Sequence, residues 1–123
     1  LIPGVAVLGA EPLGAADTAL GLSRGERVDQ FPVDTIADGL RAIVGVLNFK
    51  IIQDQVDKVV TVSEAGIVDA MALVWQTFRM LIEPSSATVI AAIIESPEDF
   101  SGHRVGAIIS GGNVDLGKLP FKP

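Results

Sequence analysis

Two carboxylates near the start of the chain have a spacing that suits a divalent cation. Glu11 directly follows a predicted strand over Val5 to Ala10, and Asp17 lies six residues later in a predicted helix over Ala15 to Leu22. Carboxylate oxygens, joined by a backbone carbonyl between them, are the ligands that Mg²⁺ and Ca²⁺ prefer. Spacing alone favours a simpler alternative, two solvated carboxylates at a turn, with Asp17 stabilising the first turn of the helix.

A second candidate site is Ser110-Gly111-Gly112-Asn113, which directly follows an apolar run from Val105 to Ile109. We predict this run as a third buried strand, and open α/β sheets bind ligands at the carboxyl ends of their strands. Two adjacent glycines let the backbone approach a ligand closely. The local sequence alone fits an ordinary strand-end turn better. Because Glu11 also follows a strand, both candidates could lie on one edge of the sheet.

Two further segments leave their alternatives open. Glu83 stands between two predicted helices, so its carboxylate is either half-buried with a partner or exposed at a helix end. The segment from Asp34 to Gly39 suits a loop near a ligand and equally a capped helix start. His103 is the one histidine and is expected at the surface. The sequence contains no metal-spaced His/Cys pair, P-loop or Gly-x-Ser-x-Gly motif.

The elements that must position these residues alternate between strand and helix. A β-branched second strand is predicted from Lys58 to Val62, and Ser63 is a predicted N-cap for the helix that follows. That helix carries an apolar stripe at helical spacing, formed by Ile67, Met71, Val74, Phe78 and Leu81. A further helix begins at Pro84, and its segment from Ala87 to Ile94 is expected to be buried. The pattern predicts an α/β fold with a largely parallel sheet.

Composition excludes several classes of protein. The 123-residue chain is 49% hydrophobic, which is typical of one small globular core rather than a disordered segment. Its net charge of −6, without a basic cluster, argues against nucleic-acid binding. Its apolar stretches are too short to span a bilayer. The absence of cysteine fits a cytoplasmic protein.

Four motifs in one order carry a family resemblance. They are Ala10-Glu11-Pro12, Thr35-Ile36-Ala37-Asp38-Gly39, Leu81-Ile82-Glu83-Pro84-Ser85 and Ser110-Gly111-Gly112-Asn113-Val114-Asp115-Leu116. In combination they resemble the C-terminal part of serine racemase, threonine dehydratase and threo-3-hydroxyaspartate dehydratase. The resemblance implies part of the large α/β domain of a fold type II pyridoxal-phosphate (PLP) enzyme, with a mostly parallel sheet flanked by helices. Residues 1–117 would belong to that domain, and 118–123 would form a C-terminal tail.

The resemblance also implies which residues lie near the cofactor. Ser110 matches a serine whose hydroxyl hydrogen-bonds the pyridine nitrogen, and Gly111 follows it in the same motif. Gly39 matches a backbone position beside the ring, and Glu83 matches a carboxylate near it. The family's Schiff-base lysine, phosphate loop and acid/base serine lie upstream and match nothing here, so we expect no catalytic residue in this chain and expect the chain alone to be inactive.

Metal and nucleotide sites follow from the racemase branch of the same family. Glu11, the Ala15 carbonyl and Asp17 match ligands for Mg²⁺ or Ca²⁺, and this match overrides the simpler alternative. Asn113 and Arg79 match positions that contact a nucleotide at a dimer interface. Two residues depart from the family: Ser86 replaces a common glycine, and Ala42 stands where serine racemase has a substrate-side serine, which puts racemisation of serine in doubt.

Two functions from different classes fit these observations. The first is part of a PLP-dependent ammonia-lyase, or dehydratase, that acts on serine, threonine or 3-hydroxyaspartate, with amino-acid racemisation as an additional activity. Its partners would be the amino-acid substrate, the N-terminal segment of the same enzyme and a second copy in a cytoplasmic homodimer, without nucleic acid or membrane. The second is a truncated, non-catalytic piece with a structural or dimerisation role.

Overall fold

The computed structural model describes residues 3–122, so residues 1, 2 and 123 of the predicted domain and tail lie outside the described residues. Strand and helix alternate through the first half of the chain, and two helices follow the second strand. The bounds are β1 Leu8–Pro12, α1 Asp17–Arg24, α2 Val46–Gln55, β2 Lys58–Val62, α3 Glu64–Phe78 and α4 Pro84–Glu95. Within residues 3–122, no helix is both long and apolar enough to cross a membrane.

The two strands form a parallel pair. Leu8 lies opposite Lys58 and Pro12 opposite Val62, which confirms the predicted parallel sheet. The second strand has the bounds that its β-branched run predicts. The first begins at Leu8 rather than Val5 and continues through Pro12, because its last residues pair with the end of β2. Glu11 therefore lies within β1 rather than after it.

The connection from β1 to β2 contains α1, an irregular segment and α2. Gly25 ends α1 with a φ of +74°, a conformation that favours glycine, and its N–H donates to the carbonyls of Gly21 and Leu22. The predicted loop-rich segment is irregular apart from a short 3-10 turn at Asp38–Leu40. Helix α1 contacts β2, so the connection returns the chain to the sheet.

Helix α3 begins as predicted. The Ser63 hydroxyl oxygen accepts a hydrogen bond from the Gly66 N–H, satisfying one of the free donors of the first turn. Ile67, Met71 and Val74 are buried. The end of the predicted stripe is wrong: the helix stops at Phe78, which is 67% exposed, so Leu81 does not belong to it.

Helix α4 forms the centre of the core. Pro84 occupies its first turn, where a missing N–H costs nothing, as predicted. The helix contacts α3 and both strands. Ala87, Ala91 and Ala92 are buried, whereas Ile94 is 49% exposed, so the expectation of a buried segment fails at its last residue.

The predicted third strand, Val105 to Ile109, is wrong. No residue between 104 and 115 is in a strand or helix, and Ile108 is 80% exposed. Ile109 packs against the core, but Val105 to Ile109 pairs with neither β1 nor β2, the two strands of the described residues. An apolar run indicates a segment that must be covered, but a strand also requires backbone pairing with a neighbour.

Candidate functional site

The start of α4 is the point where most of the predicted site residues meet. Glu83 is the N-cap residue, with an extended backbone, and its carbonyl accepts from the N–H groups of Ser86 and Ala87 at 3.0 Å. Pro84 fixes the entry of the chain into the helix. This geometry presents Ser85 and Ser86 to the two segments that pass the helix terminus.

The first passing segment contains Gly39. Its backbone N–H donates to the Ser85 hydroxyl oxygen at 3.0 Å, and also to Asp38 Oδ1 at 3.0 Å. A Cβ atom at Gly39 would lie 2.9 Å from the Ser85 hydroxyl oxygen. The absence of a side chain is therefore what allows this loop to approach α4 so closely.

The second passing segment contains Ser110 and Gly111. The Ser110 and Ser86 hydroxyl oxygens are 3.0 Å apart, and the Gly111 N–H donates to the Ser86 hydroxyl oxygen at 2.7 Å. The Gly111 carbonyl accepts from the Glu83 N–H at 3.2 Å. Ser110 is exposed while Ser86 is buried, so the pair connects the interior to the open face of the site.

The Glu83 carboxylate contacts the residues that follow Ser110 in this segment. One oxygen of its carboxylate accepts from the Asn113 N–H at 3.0 Å, and a Cβ atom at Gly111 would lie 2.8–2.9 Å from the carboxylate. All four predicted cofactor-binding positions therefore lie around one helix terminus. We call Gly39, Glu83, Ser85, Ser86, Ser110 and Gly111 the α4 N-terminal cluster.

Two members of this cluster were not predicted as site residues. From the sequence, Ser86 is only a departure from a family pattern, and Ser85 has no predicted role. The available signal was their position: two hydroxyl residues directly after a proline at a predicted helix start, where backbone donors and side-chain oxygens concentrate.

The predicted cation ligands lie where β1 leads into α1. A 3-10 turn over Leu13–Ala15 connects the two elements and places buried Ala15 between Glu11 and Asp17. Asp17 is 4% exposed, and one of its carboxylate oxygens accepts from the Val44 N–H at 2.9 Å. Residues 3–122 include no cluster of three or more His, Cys, Asp or Glu side chains arranged for a metal.

Glu11 is already engaged with the start of α1. Its two carboxylate oxygens accept from the N–H groups of Thr18 and Ala19, at 3.3 and 2.9 Å. Burial raises the pKa of this carboxyl, and the nearby Asp17 carboxylate raises it further, against hydrogen bonds that lower it. A cation beside Glu11 would stabilise the ionised form of its carboxylate against this burial.

The two predicted nucleotide contacts lie at the ends of neighbouring segments. Arg79 follows α3 in a left-handed conformation with a φ of 56° and is exposed. Asn113 is also exposed and follows Gly112, where a Cβ atom would lie 2.9 Å from the Leu81 carbonyl oxygen. The segment that carries Asn113 thus runs beside the chain shortly after Arg79.

The donor set of the α4 N-terminal cluster fits a nitrogen heterocycle such as PLP. Ser110 presents an exposed hydroxyl, which donates to or accepts from a ring nitrogen. Gly39 is also exposed, and a cleft of about 210 Å³ is lined by residues close in sequence to the cluster, among them Asp38, Pro84 and Asn113. Lys58 pairs with Asp99 at 2.6 Å, whereas Lys118 is among the residues that line this cleft.

Comparison with known proteins finds relatives named as dehydratases and serine racemases. The chain is 42% identical over 121 residues to the beta-hydroxyaspartate dehydratase of Paracoccus denitrificans, covering 98% of this chain and 38% of that protein. It is 48% identical over 123 residues to the serine racemase of Dictyostelium discoideum, covering 97% and 38%. The chain thus spans well under half the length of these curated relatives.

A solved structure gives the same result. The processed form of threonine deaminase isoform 2 from Solanum lycopersicum matches with a TM-score of 0.86 and 37% identity, over 97% of this chain and 34% of that one. These similarities confirm the resemblance to serine racemase and the dehydratases, and the expected α/β fold class. The family model described as "Pyridoxal-phosphate dependent enzyme" matches residues 1–111. The chain belongs to the family of pyridoxal-phosphate dependent enzymes.

Proposed function

We propose that this chain forms the pyridine-nitrogen side of the cofactor site in a PLP-dependent ammonia-lyase. The enzyme removes water from serine, threonine or 3-hydroxyaspartate and releases ammonia and a keto acid; amino-acid racemisation is its second activity. The observation that carries the proposal is the convergence of Gly39, Glu83, Ser110 and Gly111 on the start of α4. Relatives that carry dehydratase and racemase names support the reaction class.

Each residue of the α4 N-terminal cluster has a role in this proposal. When bound, PLP supplies an electron sink for removal of the substrate α-proton. The Ser110 hydroxyl donates to the ring nitrogen, and being neutral it leaves that nitrogen largely unprotonated. Glu83 fixes the segment that carries Ser110 through the Asn113 N–H, and the small Gly39 and Gly111 let their backbones approach Ser85 and Glu83 closely.

The catalytic lysine and the acid/base serine come from another segment of the protein in this proposal. Lys118 lies 3.9 Å from Asp115, and Lys50 and Lys122 are exposed. None of these lysines, nor the paired Lys58, belongs to the α4 N-terminal cluster. The short coverage of the relatives supports a division of the active site between this chain and the remainder of the enzyme.

The proposed enzyme also binds Mg²⁺ or Ca²⁺ through Glu11, the Ala15 carbonyl and Asp17, with water completing about six oxygen ligands. The cation would fix the junction of β1 and α1. Support comes from the raised pKa of Glu11 and from the proximity of the Asp17 carboxylate. Arg79 and Asn113 would contact a nucleotide, a proposal that rests on the family resemblance and on their exposure.

The partners proposed for this chain are the remainder of the same enzyme and a second copy in a homodimer. Exposed apolar side chains support association. At least 67% of the surface of each of four such residues is exposed: Leu47, Phe78, Ile108 and Leu116. A neighbouring strand from the remainder of the enzyme would cover Val105 to Ile109. A cytoplasmic location belongs to the same proposal, as does a domain boundary at residue 117, although Phe121 in the tail packs against the core.

The test uses the full-length protein that contains this chain. Purified protein is titrated with PLP, and keto-acid release is measured with serine, threonine and 3-hydroxyaspartate. We expect PLP binding and keto-acid formation from at least one of them, both weakened by Ser110→Ala. A full-length protein that binds no PLP would refute the proposal and favour a structural or dimerisation role.

A further inference from the structure

Ser86 is a buried hydroxyl at the centre of the α4 N-terminal cluster. It is 1% exposed, and its side chain has two hydrogen-bond partners among residues 3–122. One partner is the Gly111 N–H, a donor at 2.7 Å, so it takes one lone pair of the Ser86 oxygen. The other is the Ser110 hydroxyl at 3.0 Å, where either oxygen could donate.

The direction of the second hydrogen bond follows from the first. A buried hydroxyl hydrogen without an acceptor carries a desolvation cost, so the Ser86 hydrogen must find one. In the part of the chain that the structure describes, the Ser110 oxygen is the only acceptor that bonds with it. If Ser110 donated instead, the Ser86 hydrogen would be left buried and unpaired. Ser86 therefore donates to Ser110.

This direction determines what Ser110 can do. Its oxygen accepts from Ser86, so its own hydrogen is free to point elsewhere, and Ser110 is exposed on the open side of the cluster. Hydrogen bonds in a chain polarise one another, so accepting from Ser86 makes the Ser110 hydroxyl a stronger donor. The Gly111 N–H, by donating to Ser86, begins the same chain.

We propose that Ser86 is a positioning residue that commits Ser110 to donate its hydrogen bond to the pyridine nitrogen of PLP. The inference rests on the proposed function, because it requires PLP beside Ser110. It adds a residue that the family pattern, with glycine at this position, does not supply. The chain Gly111 N–H to Ser86 to Ser110 favours an unprotonated ring nitrogen that accepts a hydrogen bond.

The experiment uses the full-length enzyme loaded with PLP labelled with ¹⁵N at the ring nitrogen. The ¹⁵N chemical shift and the dissociation constant of PLP are compared for the parent, Ser86→Ala, Ser86→Gly, Ser110→Ala and the Ser86→Ala/Ser110→Ala double variant. Thr88→Val is the matched control, since Thr88 is also buried in α4, but within residues 3–122 its hydroxyl bonds only to the Ser85 carbonyl.

We expect both Ser86 variants to weaken the Ser110 hydrogen bond, moving the resonance part of the way toward that of a ring nitrogen without one, and to raise the dissociation constant about two- to tenfold. Ser86→Ala should add nothing once Ser110 is alanine. Thr88→Val should lower thermal stability and leave the resonance in place. Two variants at position 86 guard against misfolding of one, and Ser86→Thr, which keeps the hydroxyl, should restore the parental resonance if it folds.

Two failures can be told apart. If the parent binds no PLP, both the proposed function and the role of Ser86 are refuted. If the parent binds PLP and Ser110→Ala moves the resonance, but the Ser86 variants change only thermal stability, the proposed function stands and the role of Ser86 is refuted. An equal effect of Ser86→Ala in the parent and in Ser110→Ala would also refute it.

Discussion

The carboxylate of Glu83 accepts a hydrogen bond from the backbone N–H of Asn113 at 3.0 Å, across 30 residues of sequence. The same residue donates its own N–H to the Gly111 carbonyl at 3.2 Å. These two bonds, at the Gly111 carbonyl and the Asn113 N–H, attach the segment that follows Ser110 to the start of α4 on either side of Gly112. The position of Ser110 therefore depends on how closely Gly111 approaches Glu83.

Gly111→Ala should displace this segment. A Cβ atom would lie 2.8–2.9 Å from the Glu83 carboxylate, which the Asn113 N–H holds in place. In the full-length enzyme we expect PLP affinity to fall by about two- to tenfold, the equivalent of one hydrogen bond. Gly45→Ala is the matched control, because the backbone of Gly45 is extended and a Cβ atom there would come no closer than 3.4 Å to the Asn48 side chain. Equal PLP affinity in both variants would contradict the prediction.

Ser110→Asp and Ser110→Ala should distinguish the effect of a negative charge at this position from the effect of losing the hydroxyl. An aspartate anion raises the pKa of the pyridine nitrogen, because an opposite charge favours the protonated form. The cofactor would become a stronger electron sink, so dehydration should slow while PLP still binds. Alanine should instead weaken the binding free energy of PLP by the loss of one hydrogen bond, about 0.5–1.5 kcal/mol. Cofactor spectra and dehydration rates check both, and parental values in both variants would remove Ser110 from the site.

Chelation should destabilise the full-length protein through Glu11. A ligand that binds only the folded form adds about 2.7 kcal/mol to the free energy of unfolding at 100 times its Kd. We expect EDTA to lower the Tm and Mg²⁺ or Ca²⁺ to restore it. Glu11→Gln, which keeps an oxygen acceptor for α1, should abolish this response, whereas exposed Asp69→Asn should not. An unchanged chelator response in Glu11→Gln would place the cation elsewhere.

The response to cations should depend on pH. The pKa of Glu11 is raised by burial, so without a cation its stabilising contribution is present at low pH and is lost as pH rises through that pKa. A cation binds the ionised carboxylate and reverses this trend. The increase in Tm caused by Mg²⁺ should therefore be complete at neutral pH and fall as pH decreases through the raised pKa. Tm measured over a pH series, with Glu11→Gln as control, tests this; a pH-independent increase would count against Glu11.

The isolated 123-residue chain should be catalytically inert. The Schiff-base lysine and phosphate loop are assigned to another segment, and exposed apolar residues such as Ile108 should drive association. Mixing the chain with PLP and serine or threonine should give no keto acid, and sedimentation should show self-association. Keto-acid formation by the chain alone would overturn the division of the active site.

Strand β2 and the start of α3 were predicted correctly because both are determined by interactions between residues close in sequence. The run Lys58–Val62 is β-branched throughout its centre, and Ser63 caps the next helix within three residues, so both follow from short stretches. Val105 to Ile109 is also apolar, yet it pairs with neither described strand, and an apolar run by itself does not determine backbone pairing with residues distant in sequence.

The candidate site likewise contains residues that local motifs predict and one residue whose proposed role depends on a contact distant in sequence. Gly39, Glu83 and Ser110 were predicted from motifs, whereas the role proposed for Ser86 depends on a hydrogen bond to a residue 24 positions away. No periodicity contains that information. The burial that makes the direction of the Ser86 hydrogen bond unambiguous became visible only with the packing of α4.

The parallel pairing of β1 with β2 has a consequence for the order of folding. Leu8 reaches Lys58 only after the intervening segment, with α1 and α2, has closed into a loop, whereas α3 and α4 are separated by a short connection. Closing the longer loop costs more chain entropy before any contact compensates for it. The α3–α4 hairpin should thus assemble first and offer the apolar surface on which β1 docks late. Glu11 and Asp17 would then come together only at the end of folding, so the cation site would form after the helices that surround the cofactor.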